Sequence, residues 1–261
     1  MYEYQRSCEA MGTRFDVILR GSHGQDDEQH LEAVAVAIGE EVQRLDALLS
    51  RFNPSSEMAR INREAKTKAV RVDRELFALL ERCEIARQTT NGYFDIAAAT
   101  GGAGIALDAA SCSVRFTNPA TQIDLGAIGK GYALDCGFEI IARFGIEHAL
   151  LNGGTSSVRG LGAAWPIDLR HPLQPERIVH RLDLVNLALS CSAARHPAQT
   201  QSDVLNPLTS APILSNDACL VLAESATEAE IYSTALLTMG KVNASQYLAT
   251  LCRSNLQVKW F

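Results

Sequence analysis

Residues 123–135 read Ile-Asp-Leu-Gly-Ala-Ile-Gly-Lys-Gly-Tyr-Ala-Leu-Asp, and the rest of the chain is read outward from them. The apolar run Gln122-Ile123-Asp124-Leu125 stops at Gly126. After Gly129-Lys130-Gly131 an apolar pattern at helical spacing starts at Tyr132 and continues through Cys136, Ile140, Ile141 and Phe144, so the stretch predicts strand, glycine-bearing turn, helix. A helix that starts in this way points free N–H groups and the positive end of its dipole at whatever lies above it, which suits a phosphate. Lys130 would add positive charge, and Asp124 would accept hydrogen bonds from a sugar or a base edge. The glycines at 126, 129 and 131 match neither the dinucleotide fingerprint nor the Walker A loop. Read alone, the segment is sooner a tight strand-to-helix connection with a solvated lysine.

Upstream, Phe15, Val17 and Leu19 alternate with more polar neighbours and predict a strand with one buried face. Leu31, Val34, Ile38, Val42, Leu45, Leu49 and Phe52 recur every three or four residues, which predicts a long core helix capped by Asp26 or Asp27. A second helix is expected from the N-cap Asp73 through Leu76, Leu79, Leu80 and Cys83 to Asn91-Gly92. Val114 to Phe116 and Thr121 to Leu125 read as short adjacent strands. Downstream, strands are expected at 148–152, 165–170, 178–185, 187–192 and 218–224. Thr227 to Glu230 opens a helix in which Glu230 and Thr234 share a face, although Thr227-x-x-Glu230 is also a capping box. Clustered strands between helices indicate an α+β fold rather than a doubly wound parallel sheet.

Composition narrows the function. The chain has 261 residues, 47% of them hydrophobic, enough for a substantial core, and its net charge of −6 gives nucleic acid no basic footprint. No apolar run is long enough to span a bilayer, and residues 1–10 lack the apolar core of a signal peptide or a lipid-attachment context for Cys8, so a cytoplasmic location is expected. Seven cysteines without Cys-x-x-Cys spacing read as reduced, mostly buried thiols.

Met11-Gly12-Thr13, Leu49-Ser50-Arg51-Phe52 with Ser56 and Asn62, Gly92-Tyr93-Phe94-Asp95, the central motif and Asn152-Gly153-Gly154 stand in the order found in the ApbE family, which the chain resembles over most of its length. The resemblance implies a single domain over residues 1–261, built of two similar, intimately packed α+β halves with mostly antiparallel sheets. It implies a Mg²⁺-dependent FAD:protein FMN transferase that joins FMN to a threonine of an acceptor protein. Met11, Phe52, Tyr93, Phe94, Asp95, Asp124 and Lys130 would then bind FAD, with Phe52 covering the flavin ring. The carbonyl of Ala127, with Glu230 and Thr234, would hold Mg²⁺. Glu230 stands where relatives carry Asp.

The stretch Ser202 to Ser210 departs further. Relatives read approximately His-Ile-Ile-Asp-Pro-x-Thr-Gly, with the His as proposed base; here Asp203 takes the His position, Asn206 the Asp position and Ser210 the Gly position. Thr155 replaces the Asp that relatives place after the glycine pair. Asp203 is therefore the expected catalytic group, with His196 as a substitute. Two other functions stay open on these departures: a noncatalytic FAD-binding protein, and a FAD pyrophosphatase in which water replaces threonine.

Overall fold

A computed structural model describes residues 2–21, 25–102, 104–171, 173–194, 202, 204–251 and 255–261. Strands β1 (Tyr2–Ala10) and β2 (Thr13–Gly21) form a hairpin, followed by helices α1 (Gln25–Leu49) and α2 (Glu57–Glu64). A short strand β3 (Val70–Arg71) leads to α3 (Arg74–Thr89), then to β4 (Ile105–Asp108), β5 (Ser113–Phe116) and α4 (Gly129–Arg143). Strands β6 (His148–Gly153), β7 (Ser157–Leu161), β8 (Trp165–His171), β9 (Gln174–Leu184), β10 (Ala188–Ala193) and β11 (Ala218–Ala223) follow, and α5 (Ala226–Thr250) and β12 (Gln257–Trp260) close the chain.

The main sheet has seven strands in the order β1-β2-β6-β7-β10-β11-β12, with every neighbouring pair antiparallel. Its side chains alternate between two cores, as the pleat requires. Val17, Leu19, Ala149, Leu151 and Val221 face α1, α4 and α5. Ile18, Leu150, Val158, Leu189 and Leu220 face the other way and pack beneath Trp165 and Leu184 of the separate β8–β9 hairpin. Strands β3, β5 and β4 make a small third sheet. The fold is thus α+β with antiparallel sheets, as expected.

Local chemistry explains most element ends. Asp73 Oδ1 accepts the N–H of Leu76 at 2.8 Å, which caps α3. At its other end Asn91 and Gly92 both take positive φ, the left-handed conformation that stops a helix. Met11 and Gly12 do the same in the two-residue turn between β1 and β2, whose register joins Ala10 to Thr13. Helix α2 was not expected; Ser56 caps it by accepting the N–H of Ala59, and Met58 and Ile61 bury its inner face.

Three expectations are corrected. Residues 121–125 are extended but form no strand, because Ile123 exchanges its backbone hydrogen bonds with the side chain of Asn62, at 2.8 and 2.9 Å, instead of with a ladder. Thr227 and Glu230 form no capping box, since Ser225 caps α5 by accepting the N–H of Glu228. Of the six described cysteines, all free, only Cys83 and Cys219 are buried and the other four are half-buried. Among the described residues no helix is long and apolar enough to cross a membrane.

Candidate functional site

Helices α4 and α5 meet end to end, and each closes the other's N-terminus. Asp135 of α4 accepts the N–H groups of Ala226 and Thr227 and the hydroxyl of Thr227, while Arg159 donates to it at 2.6 Å. Glu230 of α5 accepts the N–H of Gly131 on Oε2 at 2.7 Å and the hydroxyl of Ser157 on Oε1 at 2.6 Å. Carboxylates at helix N-termini are favoured by the dipole and by the unpaired N–H groups. The approach requires a glycine: a Cβ on Gly131 would stand 2.5 Å from the carbonyl oxygen of Ala226. The N–H of Gly131, read from sequence as free for a phosphate, is therefore already taken by a protein carboxylate.

Glu230 is only 3% exposed, and Lys130 Nζ stands 3.3 Å from its Oε1. One turn on, Thr234 Oγ1 lies 3.2 Å from the hydroxyl of Ser192, which continues through Ser233 to Ser190. Glu230, Lys130, Thr234 and Ala127 all line a cleft of about 1150 Å³. Glu230, Thr234 and the carbonyl of Ala127 offer only oxygen with a single carboxylate, which fits Mg²⁺, a hard cation that keeps waters and shares phosphate oxygens.

Asp124 enters the same cleft from the extended segment, whose backbone is tied to Ile96 as well as to Asn62. Its Oδ1 accepts the N–H of Gly126, and its Oδ2 pairs with Arg51 Nε at 2.9 Å. The Arg51 guanidinium also stands 4.4 Å over the ring of Phe52. Phe52 is 80% exposed, on a loop held by Ser50 Oγ, which accepts the N–H groups of Phe52 and Asn53. The loop thus displays the ring to solvent at the cleft edge.

Tyr93, Phe94 and Asp95 form the facing wall. Thr238 of α5 donates to the carbonyl of Tyr93 at 2.7 Å, and Thr90 Oγ1 accepts the N–H of Phe94. Phe94 is fully buried, so its ring backs the wall. Asp95 Oδ1 accepts the N–H of Ala97 at 2.7 Å. Met11 stands behind the helix start, its Sδ 3.7 Å from a Cβ placed on Gly129. Asp203 and His196 lie outside the described residues; the neighbouring Val204, Leu205 and Pro207 line the cleft.

Nine expected residues therefore converge on one cleft: Phe52, Tyr93, Phe94, Asp95, Asp124, Ala127, Lys130, Glu230 and Thr234. Sequence reading missed the hydroxyls of Ser157 and Ser192 and the guanidinium of Arg51. Ser190 and Ser192 carried a signal, because alternate residues of a strand share a face and here turn toward α5.

An antiparallel α+β scaffold with an acidic, lysine-bearing cleft at two abutting helix N-termini defines the class. The model of the ApbE family matches residues 11–103 and 98–258, and the chain belongs to that family. A FAD:protein FMN transferase of Klebsiella pneumoniae (strain 342) is 24% identical over 245 residues, covering 81% of this chain and 77% of that protein. One of Chlamydia trachomatis serovar D is 25% identical over 233 residues, with 74% and 72% covered. The crystal structure of the ApbE protein of Thermotoga maritima superposes with a TM-score of 0.86 at 21% identity, over 98% of this chain and 93% of that one. The flavin transferase ApbE of Vibrio cholerae gives 0.82 at 17% identity, over 100% and 96%. These two structural matches concern the fold alone.

Proposed function

We propose that the protein is a Mg²⁺-dependent FAD:protein FMN transferase. The observation that carries this reading is the convergence of the nine residues, drawn from distant segments, on one cleft. Relatives that bear this activity in their names match most of the chain.

In this reading Phe52 and Tyr93 flank the flavin ring, and Asp124 and Lys130 hold the nucleotide. Lys130 exchanges its contact with Glu230 for a phosphate oxygen. The acceptor hydroxyl oxygen attacks the FMN-side phosphorus, a phosphoester bond forms, the phosphoanhydride P–O bond breaks, and AMP leaves. The hydroxyl proton passes to a base, a role we assign to Asp203, which would orient the hydroxyl or deprotonate it. Glu230, Thr234 and the Ala127 carbonyl would hold Mg²⁺, which when bound supplies neutralisation of the charge that develops on the pyrophosphate. Burial of Glu230 against Gly131 and Ser157 keeps its carboxylate in place for that task.

The test is to incubate the purified protein with FAD and Mg²⁺, with and without candidate acceptors, and to identify nucleotides in the protein and small-molecule fractions. Covalent FMN on threonine with equimolar AMP is expected. AMP and free FMN without an acceptor would make it a pyrophosphatase, and intact FAD held with every acceptor tried would favour a flavin-binding protein. FAD found only free would overturn the cofactor assignment.

A further inference from the structure

The cleft is also lined by a second set of side chains that the nine residues do not explain, here termed its second lobe. The outer faces of β2, β6, β7 and β10 floor it, with Ile18, Leu150, Val158 and Leu189, and Ile167 and Leu169 of the β8–β9 hairpin line it from above. Its volume together with the first lobe, about 1150 Å³, exceeds the ~300–1000 Å³ usual for one small ligand.

Asn152 stands at the junction. It is half-buried, yet its Oδ1 is buried outright and has no hydrogen-bond partner. The strand register explains why the fold cannot supply one. Asn152 lies between Asp16 on β2 and Val158 on β7; the first is an acceptor already engaged by Ser7 and Arg14, and the second is apolar. The next residue, Gly153, faces Lys130: a Cβ there would stand 3.6 Å from that of the lysine. A buried amide oxygen left unpaired is destabilising and calls for an external donor.

We infer that this second lobe receives the acceptor polypeptide as an extended segment, with the Asn152 carboxamide bonded to one of its peptide units. The inference rests on the transferase reading above. A carboxamide offers a donor and an acceptor side by side, as a peptide unit does, and the alternate side chains of an extended segment would meet the apolar floor. The second substrate must also reach a phosphate held at Lys130, and Gly154, Thr155 and Ser156, which follow Gly153 beside that lysine, line the same cleft. The aromatic side chains expected at the flavin all stand in the first lobe.

A displayed library of short peptides with one central threonine and random flanks, incubated with the protein, FAD and Mg²⁺ and sorted for covalent flavin fluorescence, tests this. Sorted peptides give a synthetic acceptor for kinetics. Asn152→Leu is expected to raise the KM for that peptide roughly tenfold, the loss of about one good hydrogen bond, with FAD affinity and kcat unchanged. Because it removes an unpaired buried amide oxygen, it is also expected to keep or raise the melting temperature, which a structural role would not allow. Ile167→Glu in the roof is the second variant, with the same expected split. An unchanged peptide KM in both variants, or a weakened FAD affinity in Asn152→Leu, overturns the inference, the latter by placing the amide in the nucleotide site. A protein that binds FAD but labels no peptide overturns recognition of an extended segment. If the wild-type protein binds no FAD, the transferase reading fails first and this inference falls with it.

Discussion

Glu230 and Gly131 stand 99 residues apart in the chain and share one buried hydrogen bond of 2.7 Å, from the glycine N–H to the carboxylate. Asp135 returns the arrangement by closing the N-terminus of the helix that carries Glu230. Neither helix start is complete without the other. Asp135→Ala is therefore expected to lower stability by about 1–2 kcal/mol, the range for a lost helix cap, and to lower Tm by roughly 2–8 °C in a domain of this size. Calorimetry or thermal circular dichroism checks it; an unchanged Tm would mean that water replaces the carboxylate at no loss.

Substitutions at Glu230 separate its structural part from its chemical one. Glu230→Gln keeps a side-chain oxygen for Gly131 or Ser157 but removes the charge, so the protein should fold while Mg²⁺-dependent release of AMP from FAD falls by a factor on the order of 10² or more. Glu230→Ala should lose the activity and also about 1–3 kcal/mol, because it leaves the N–H and the hydroxyl unpaired. Wild-type rates with unchanged Mg²⁺ dependence in Glu230→Ala would remove Glu230 from the proposed metal site.

Phe52 is held by its loop and packs into no core, so Phe52→Ala should leave Tm within about 1 °C of wild type. If the ring covers the flavin, FAD affinity should fall by roughly 3–10-fold, the worth of one aromatic stacking contact. Fluorescence titration with FAD measures both affinity and the quenching that stacking brings. Equal affinities would leave the ring as surface only.

Burial pushes the Cys191 thiol up to about 11, although the residue lines the cleft. The thiolate is the reactive form, and at pH 8 its fraction is on the order of 10⁻³. Alkylation of Cys191 by iodoacetamide should therefore be slow at pH 7.5 and rise about tenfold per pH unit up to pH 10, which peptide mapping by mass spectrometry resolves. Fast labelling at neutral pH would contradict the buried setting.

Much of the fold was legible because its signals are local. Asp73 with Leu76, Leu79 and Leu80 declared α3, and the alternation at Phe15, Val17 and Leu19 declared a strand buried on one face. Residues 121–125 misled for a physical reason: alternating apolar residues look the same whether a neighbouring strand or one asparagine side chain satisfies their backbone. The site was legible as a set of residue types in order, and much less as geometry. Nothing near Glu230 in sequence announces that Gly131 and Ser157 hold it, or that Arg51 occupies one oxygen of Asp124. The unpaired amide of Asn152 could not be read at all, since it depends on which residues the sheet register places beside it.

The clamp of Asn62 on Ile123 gives the nucleotide end of the cleft an anchorage of its own. A strand shares its anchorage among many ladder bonds and opens only with the sheet, whereas here Asn62 holds Ile123 and the Ile96 carbonyl holds the N–H of Asp124. Loosening this segment costs the two bonds to Asn62, the bond to Ile96 and the burial of Ile123 and Leu125, while the seven-stranded sheet stays closed. Asp124 is thus fixed independently of the main sheet, so the nucleotide end of the cleft keeps its shape when the sheet's edges fray.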